Sequence, residues 1–178
     1  MAAFQAQIFI TSNKDLLNYA RIKKTYLNLI DDGRNIISLR QLPNRSLKSR
    51  KRKKLAFILH IPSHGSNTMG HWCIALIQTT ERILLFIDPL NMILKTDTQA
   101  SAYLDRFCQK NGMSWINWDL DTQQIASNCC GLIVLYFLQF FSRHSLKDFG
   151  VLKKMLKNYS VAHREAVILK KVLQRFKK

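Results

Sequence analysis

The segment that most constrains the fold is an apolar run in the second half of the chain, residues 131–141. As a helix, this run presents apolar side chains on every face, so it must be buried all round and lie at the centre of a domain. It is too short to cross a bilayer, which takes about 20 apolar residues. Since the chain has 178 residues, we expect one globular domain over residues 1–178 and no membrane partner. Residues 1–10 lack a basic start, so no signal peptide is predicted.

Short segments rich in Ile, Leu and Phe precede this helix and predict β-strands. Three of them follow closely on one another, and their short connections favour antiparallel neighbours over crossovers. A fourth contains Trp115 and Trp118, of which we expect one to be buried and one to be partly exposed. The predicted strands cover residues 55–61, 71–77, 83–88 and 114–120.

Helical periodicity appears on both sides of the predicted strands. The predicted helices cover residues 13–31, a segment from Thr96 or Asp97 to Asn111 that ends at Gly112, and the two segments 145–158 and 161–176. Together the pattern predicts an α+β fold, in which a central mixed or antiparallel sheet is flanked by helices.

The charge of the chain is strongly unbalanced. Lys and Arg number 28 against 11 Asp and Glu, a formal net charge of +17 at pH 7. Such an excess repels itself, so nucleic acid is the first partner to expect. Residues 44–54 form a basic run without an acid, which predicts a solvated loop, a nuclear address or a DNA contact. Its basic side chains are Arg45, Lys48, Arg50, Lys51, Arg52, Lys53 and Lys54.

The C-terminal helices over 145–178 are also basic. They are expected to add to a polyanion contact, to form an ordinary amphipathic cap, or to lie on an anionic membrane surface.

The four cysteines show no metal-ligand spacing: there is no Cys-x-x-Cys pair and no matching Cys/His pattern. This predicts a reducing compartment and no metal site. Cys73 and Cys108 are expected to be small buried hydrophobic residues. The histidines at 60, 64, 144 and 163 are interpreted as structural or surface residues.

Polar residues stand where apolar segments begin or end, positions from which side chains project into a cleft. His71 opens a strand, Asp88 closes the next, Gln123 and Gln124 precede a polar turn, and Cys130 opens the buried helix. A thiolate is stabilised at the positive end of a helix dipole and by a nearby imidazolium, which a carboxylate in turn orients. The Cys130 backbone N–H and a glutamine amide are candidate oxyanion donors.

The order His…Asp…Gln…Cys-Gly resembles the adenovirus protease (adenain) family and its relatives, the Ulp-type SUMO-deconjugating proteases. The similarity lies in the His-Trp pair at 71–72, the Leu-Phe-Ile-Asp-Pro segment at 85–89 and the Ser-x-x-Cys-Gly-Leu pattern at 127–132. It covers about residues 54–141. Because Gly follows Cys130 and not Cys129, Cys130 is the predicted nucleophile.

The two branches of this family differ at two positions of interest. Asp88 matches the Ulp-type branch, since the adenovirus enzymes have Glu there. Gln123 fits the adenovirus spacing and is preferred for the oxyanion role, while Gln124 fits the Ulp-type spacing.

The resemblance implies a papain-like cysteine protease core with no cofactor needed for chemistry. It further implies a monomeric viral endopeptidase that cleaves capsid and core precursor proteins, with DNA as an activator. Its expected location is the virion, the host nucleus or a viral assembly site. The cysteine that links the adenovirus enzymes to a peptide activator has no counterpart before residues 114–120, so a peptide activator stays open. The alternatives are a ubiquitin-like-protein deconjugating protease and an inactive nucleic-acid-binding relative.

Overall fold

A five-stranded sheet forms the middle layer of the structure, a computed structural model that describes residues 29, 34–47, 52–61 and 70–176. Its strands, in spatial order, are β1 (Ile36–Ser38), β2 (Lys54–Ile61), β3 (His71–Gln78), β4 (Ile83–Ile87) and β5 (Ser114–Asn117). The pairs β2–β3 and β3–β4 are antiparallel, as their short connections predict. The outer pairs, β1–β2 and β4–β5, are parallel. The sheet is therefore mixed.

Helices cover both faces of this sheet. They are a 3₁₀ helix (Leu39–Asn44), α1 (Ile93–Thr96), α2 (Ala100–Asn111), α3 (Cys130–Arg143), α4 (Leu146–Lys157) and α5 (Val161–Phe176). The connection from β4 to β5 contains α1 and α2, which allows those two strands to run parallel. The α+β fold class is confirmed.

Two hydrophobic clusters lie on opposite faces of the sheet. One joins alternate residues of β2, β3 and β4 to α3, α4 and α5. The other joins the intervening residues to α2 and the 3₁₀ helix. Because both faces are covered, β3 is buried continuously from Trp72 to Ile77. The predicted central helix is confirmed as α3, which is buried from Cys130 to Gln139.

Several predicted boundaries differ from the structure. The helix expected to start at Thr96 or Asp97 begins at Ala100, because the short α1 already ends at Thr96. Asp97 instead accepts a hydrogen bond from the Gln99 N–H at 2.9 Å in the intervening turn. Gly112 ends α2 as predicted, in the left-handed conformation with φ of 64°.

The strand predicted over residues 114–120 corresponds to β5 and is shorter than predicted. It ends at Asn117, so Trp118 lies after the strand and is buried, while Trp115 lies within the strand and is partly buried. The strand β1 and the 3₁₀ helix were not predicted. The predicted helix over 13–31 lies outside the described residues except for Leu29.

The basic run is only partly described, and one of its members belongs to the sheet. Arg45, Arg52 and Lys53 are exposed, whereas residues 48, 50 and 51 lie outside the described part. The prediction that residue 54 belongs to a solvated loop is wrong. Lys54 opens β2, and its Nζ donates to the carbonyl oxygens of Phe141 and His144, both at 2.9 Å.

Within the described ranges, no helix combines the length and apolar character needed to cross a membrane.

Candidate active site

The antiparallel pairing of β3 with β4 brings the start of one strand beside the end of the other. His71 is the first residue of β3, and Asp88 directly follows the last residue of β4. The two side chains meet there, with His71 Nε2 and Asp88 Oδ1 2.6 Å apart. The structure thus brings together two residues that the sequence pattern predicted.

The Asp88 carboxylate is held by backbone N–H groups as well as by His71. Oδ1 accepts from Leu90 at 2.9 Å, and Oδ2 accepts from Met92 at 2.7 Å and from Ile93 at 2.8 Å. Burial by itself would raise the pKa of Asp88, but the hydrogen bond and charge of His71 and the backbone donors outweigh it and lower the pKa. Asp88 is therefore ionised at neutral pH and fixed in orientation.

Cys130 is the first residue of α3, and Cys129 is its N-cap. Cys130 is 8% exposed, and its side chain interacts with His71. As the first residue of α3, Cys130 lies where the helix leaves backbone N–H groups unpaired and where the positive end of the helix dipole falls.

The His71 ring therefore lies in contact with a carboxylate and a thiol. Burial by itself would lower the pKa of His71. The hydrogen bond to Asp88, the interaction with Cys130 and, once it is ionised, the negative charge of Cys73 act in the opposite direction and raise the pKa to about 12. The site thus favours an imidazolium, the partner that a thiolate at Cys130 needs.

Cys73 is a member of this cluster that the sequence interpretation missed. It lies two residues after His71 on the same face of β3, and the β3–β4 register, if continued, places it opposite Asp88. Burial, followed by the charge of Asp88, raises the pKa of Cys73 to about 12. Cys73 is buried as predicted, but it is a neutral thiol against the candidate catalytic histidine, not an isolated hydrophobic residue.

The same three residues could offer ligand atoms to a soft divalent cation. One atom each from His71, Cys73 and Asp88 lies within 4.8 Å of the others. Both Asp88 oxygens already accept hydrogen bonds, however, so a cation would have to displace His71 or a backbone donor. The arrangement fits a hydrogen-bonded acid–base group better than a metal centre.

The other cysteines have environments that disfavour a thiolate. Burial, aided by Asp105, raises the pKa of Cys108 to about 11. Burial is also the main cause that raises the pKa of Cys129. Cys130 is the thiol that combines contact with His71 and a position at a helix N-terminus.

The two candidate oxyanion glutamines are placed differently. Gln123 is 3% exposed, and its Nε2 donates a short hydrogen bond to the Ser127 carbonyl oxygen. Its Oε1 has no hydrogen-bond partner among the described residues. The side chain of Gln124 is exposed. The hydrogen bond to Ser127 holds the Gln123 amide in a fixed orientation, and Nε2 retains a second N–H that can donate.

A second histidine borders the site. The ring of His60 packs against Trp72 with centroids 4.6 Å apart, and a Cβ at Gly70 would collide with its Nε2. Burial, followed by the charge of His71, lowers the pKa of His60. This neutral ring packs over the strand that carries His71, in agreement with a structural role.

His144 and His163 are exposed and stack on Phe140 and Tyr159. His64 lies outside the described residues.

Comparison with known proteins identifies the fold. Neither a protein-family model nor a curated protein sequence matches the chain. Among solved structures, ChlaDub1 from Chlamydia trachomatis matches with a TM-score of 0.52 and 13% identity, covering 94% of this chain and 78% of that one. The effector protein ChlaDUB of Chlamydia abortus matches with a TM-score of 0.45 and 10% identity, covering 80% and 90%. The SUMO protease Ulp1, with its catalytic cysteine oxidised to a sulfenic acid, matches with a TM-score of 0.34 and 18% identity, covering 89% and 75%.

The match to ChlaDub1 shows that this chain shares its fold. The expectation of a protease-type core, drawn from the order of His71, Asp88 and Cys130, agrees with that fold. The narrower expectation of an adenovirus-type protein receives no support from these structures.

Proposed function

We propose that the protein is a cysteine peptidase in which Cys130 is the nucleophile, His71 the general acid and base, and Asp88 the residue that orients His71. The observation that carries this proposal is the His71 ring itself. Its Nε2 is hydrogen-bonded to Asp88 Oδ1 at 2.6 Å, and the ring interacts with the Cys130 side chain at the start of α3. These are the contacts that a thiolate–imidazolium nucleophile requires.

The reaction follows from these roles. The Cys130 thiolate attacks the scissile carbonyl carbon, and the C=O electron pair moves to oxygen. The Cys130 backbone N–H and Gln123 Nε2 donate to that oxyanion. As the tetrahedral intermediate collapses, the C–N bond breaks and His71 gives its proton to the leaving amine. Neutral His71 then takes a proton from water, which attacks the thioester and releases the acid and the Cys130 thiolate.

The substrate we propose is the C-terminal linkage of ubiquitin or a ubiquitin-like protein. The support is the fold shared with the deubiquitinase ChlaDub1. Cleavage of viral capsid precursors is the second candidate, and it rests on the Ser-x-x-Cys-Gly-Leu pattern at 127–132. The shared fold favours the first candidate.

The experiment that tests this proposal is hydrolysis of a substrate panel. Ubiquitin and SUMO carrying a C-terminal aminomethylcoumarin are compared with peptides that have glycines around the scissile bond. We expect hydrolysis of at least one modifier substrate, abolished in Cys130→Ala and reduced about 10³-fold or more in His71→Ala.

Cys129→Ala is the matched control, since it alters the neighbouring thiol and should retain activity. Cleavage of the glycine peptides alone would move the substrate to the second candidate. Failure to cleave any member of the panel, or full activity of Cys130→Ala, would contradict the proposal.

A further inference from the structure

We propose that Arg164 and Glu165, two adjacent residues of the C-terminal helix α5, position the loop that carries the oxyanion donor Gln123. This inference rests on the proposed peptidase function and assigns a role to a helix that the sequence pattern marked only as basic. Both are positioning residues, since they act on the reaction through the loop.

Glu165 binds the loop directly behind Gln123. Its side chain is buried, with 7% exposed, although it is a carboxylate on an otherwise basic helix. Oε2 accepts a hydrogen bond from the Gln124 backbone N–H at 2.6 Å. A hydrogen bond to a charged acceptor is stronger than a neutral one, so this contact fixes the peptide unit between Gln123 and Gln124.

Arg164 binds the start of the same loop. Its Nη1 donates to the Asp121 carbonyl oxygen at 2.9 Å, and its Nε donates to the Leu156 carbonyl oxygen of α4 at 2.8 Å. The rigid guanidinium therefore ties the loop to the end of α4. A lysine could not reproduce both bonds in the same geometry.

The opposite side of the loop is tied to the residue that follows Asp88. The Pro89 carbonyl oxygen accepts from the backbone N–H groups of Thr122 at 2.8 Å and Gln123 at 3.1 Å. The segment 121–124 is thus held between the strand end that carries Asp88 and the helix α5. These contacts set the position of Gln123 relative to the His71–Asp88 pair from two sides.

Replacing Arg164 or Glu165 should therefore affect the reactivity of the Cys130 thiolate and the stabilisation of the oxyanion differently. None of the hydrogen bonds described above for Arg164 and Glu165 goes to His71, Asp88 or Cys130. The thiolate–imidazolium pair should therefore still form when Arg164 or Glu165 is replaced. Stabilisation of the oxyanion depends on the position of Gln123 Nε2, so it should weaken in variants that lack the bonds of Arg164 or Glu165 to the loop. Alkylation by iodoacetamide needs the thiolate and no oxyanion donor, whereas amide hydrolysis needs both.

The test compares these two reactions in Glu165→Ala, Glu165→Gln and the wild type. For Glu165→Ala we expect kcat on the best modifier substrate to fall about 10-fold or more, towards the roughly 10²–10³-fold loss typical of a deleted oxyanion donor. KM and the rate of Cys130 alkylation should stay within about 2-fold of wild type. Glu165→Gln keeps an acceptor oxygen for the Gln124 N–H and should recover most of kcat.

The matched control is Glu81→Ala, which removes a carboxylate hydrogen-bonded to Gln78 at 2.8 Å in the β3–β4 turn, away from the loop. It should leave both reactions unchanged. If a thermal melt shows that Glu165→Ala is unfolded, Arg164→Lys provides a second variant. It should likewise lower kcat and leave KM and the rate of Cys130 alkylation unchanged.

Unchanged kcat in the Glu165→Ala and Arg164→Lys variants would overturn the inference, as would an equal loss of alkylation and hydrolysis, which marks a general structural effect. A wild type that alkylates at Cys130 but cleaves no substrate would instead count against the proposed function.

Discussion

At the scale of single residues, the four cysteines differ in what surrounds each sulfur. Cys73 touches His71 but is fully buried beside Asp88. Burial, followed by the negative charge of Asp88, raises the pKa of Cys73 to about 12. Cys108 belongs to the cluster on the other side of the sheet from α3. Cys130 has both a partner histidine and a helix N-terminus. Local electrostatics therefore select one thiol among four chemically identical groups.

Asp88 provides a prediction of stability against pH. Its pKa in the folded protein lies below the ordinary value of 3.8, so its contribution to stability is present above that value and is lost as the pH falls through the folded pKa. Asp88→Asn should therefore lower the free energy of unfolding by about 1–3 kcal/mol at pH 7, because the amide cannot accept all four bonds. The difference from wild type should shrink below about pH 4.

Urea unfolding at a series of pH values measures this effect. The control is Asp105→Asn, at an exposed aspartate that accepts one hydrogen bond from Trp115 Nε1 at 2.7 Å. Because the amide oxygen of asparagine can still accept that bond, the replacement should change stability by less than about 0.5 kcal/mol. A difference between Asp88→Asn and wild type that stays constant from pH 7 to pH 3 would contradict the assignment.

Sequence alone could predict the residues of the site that act at element boundaries. His71, Asp88 and Cys130 stand at a strand start, a strand end and a helix start, which the apolar pattern reveals. The contacts of Cys73 and Glu165 could not be predicted in this way. The first needs the β3–β4 register, and the second joins residues far apart in the chain, at 124 and 165.

At the scale of elements, long apolar runs in the sequence predicted helices and strands well, whereas short segments without such a run were missed or misplaced. The helix α3 and the strands β2, β3 and β4 were predicted with boundaries near those observed, because long buried runs have few alternatives. The three-residue β1 was missed, since its backbone bonds come from β2 and not from a local pattern. The start of α2 was misplaced because Asp97 resembles a helix cap but forms a turn.

Lys54 links two elements and provides a test of that link. Its ammonium group donates to the last turn of α3 and to the residue after it, where the helix dipole is negative. Lys54→Met keeps the apolar stem and removes both bonds. We expect a loss of about 1–2 kcal/mol in the free energy of unfolding, measured with urea.

The matched control is Lys53→Met, at an exposed neighbour. Equal unfolding midpoints for the two variants would show that the bonds from Lys54 contribute nothing to stability.

At the scale of the whole molecule, the net charge of +17 calls for a polyanionic partner, and we propose DNA. Binding of duplex DNA, followed by fluorescence anisotropy, should weaken steeply between 50 mM and 200 mM salt. Replacing Arg45, Arg52 and Lys53 with Gln should reduce the slope of log affinity against log salt by up to about 3.

The comparison for that slope is Lys170→Gln with Lys171→Gln, which removes exposed charge from α5 and shows whether this basic helix shares the contact. A slope unaffected by the three loop substitutions, or no binding at 50 mM salt, would contradict a DNA contact at this loop.

The measurement that tests the central claim most directly is the pH dependence of Cys130 alkylation by limiting iodoacetamide, located by peptide mapping. The hydrogen bond to Asp88 raises the pKa of His71 and keeps an imidazolium beside the thiol across the neutral range. Wild type should therefore be modified at Cys130, with Cys73 spared, at a nearly constant rate from about pH 6 to 9. In His71→Ala the rate should rise through the range in which ordinary thiols ionise, near 8.5. Modification of another cysteine first, or the same pH profile in both proteins, would contradict a Cys130–His71 catalytic pair.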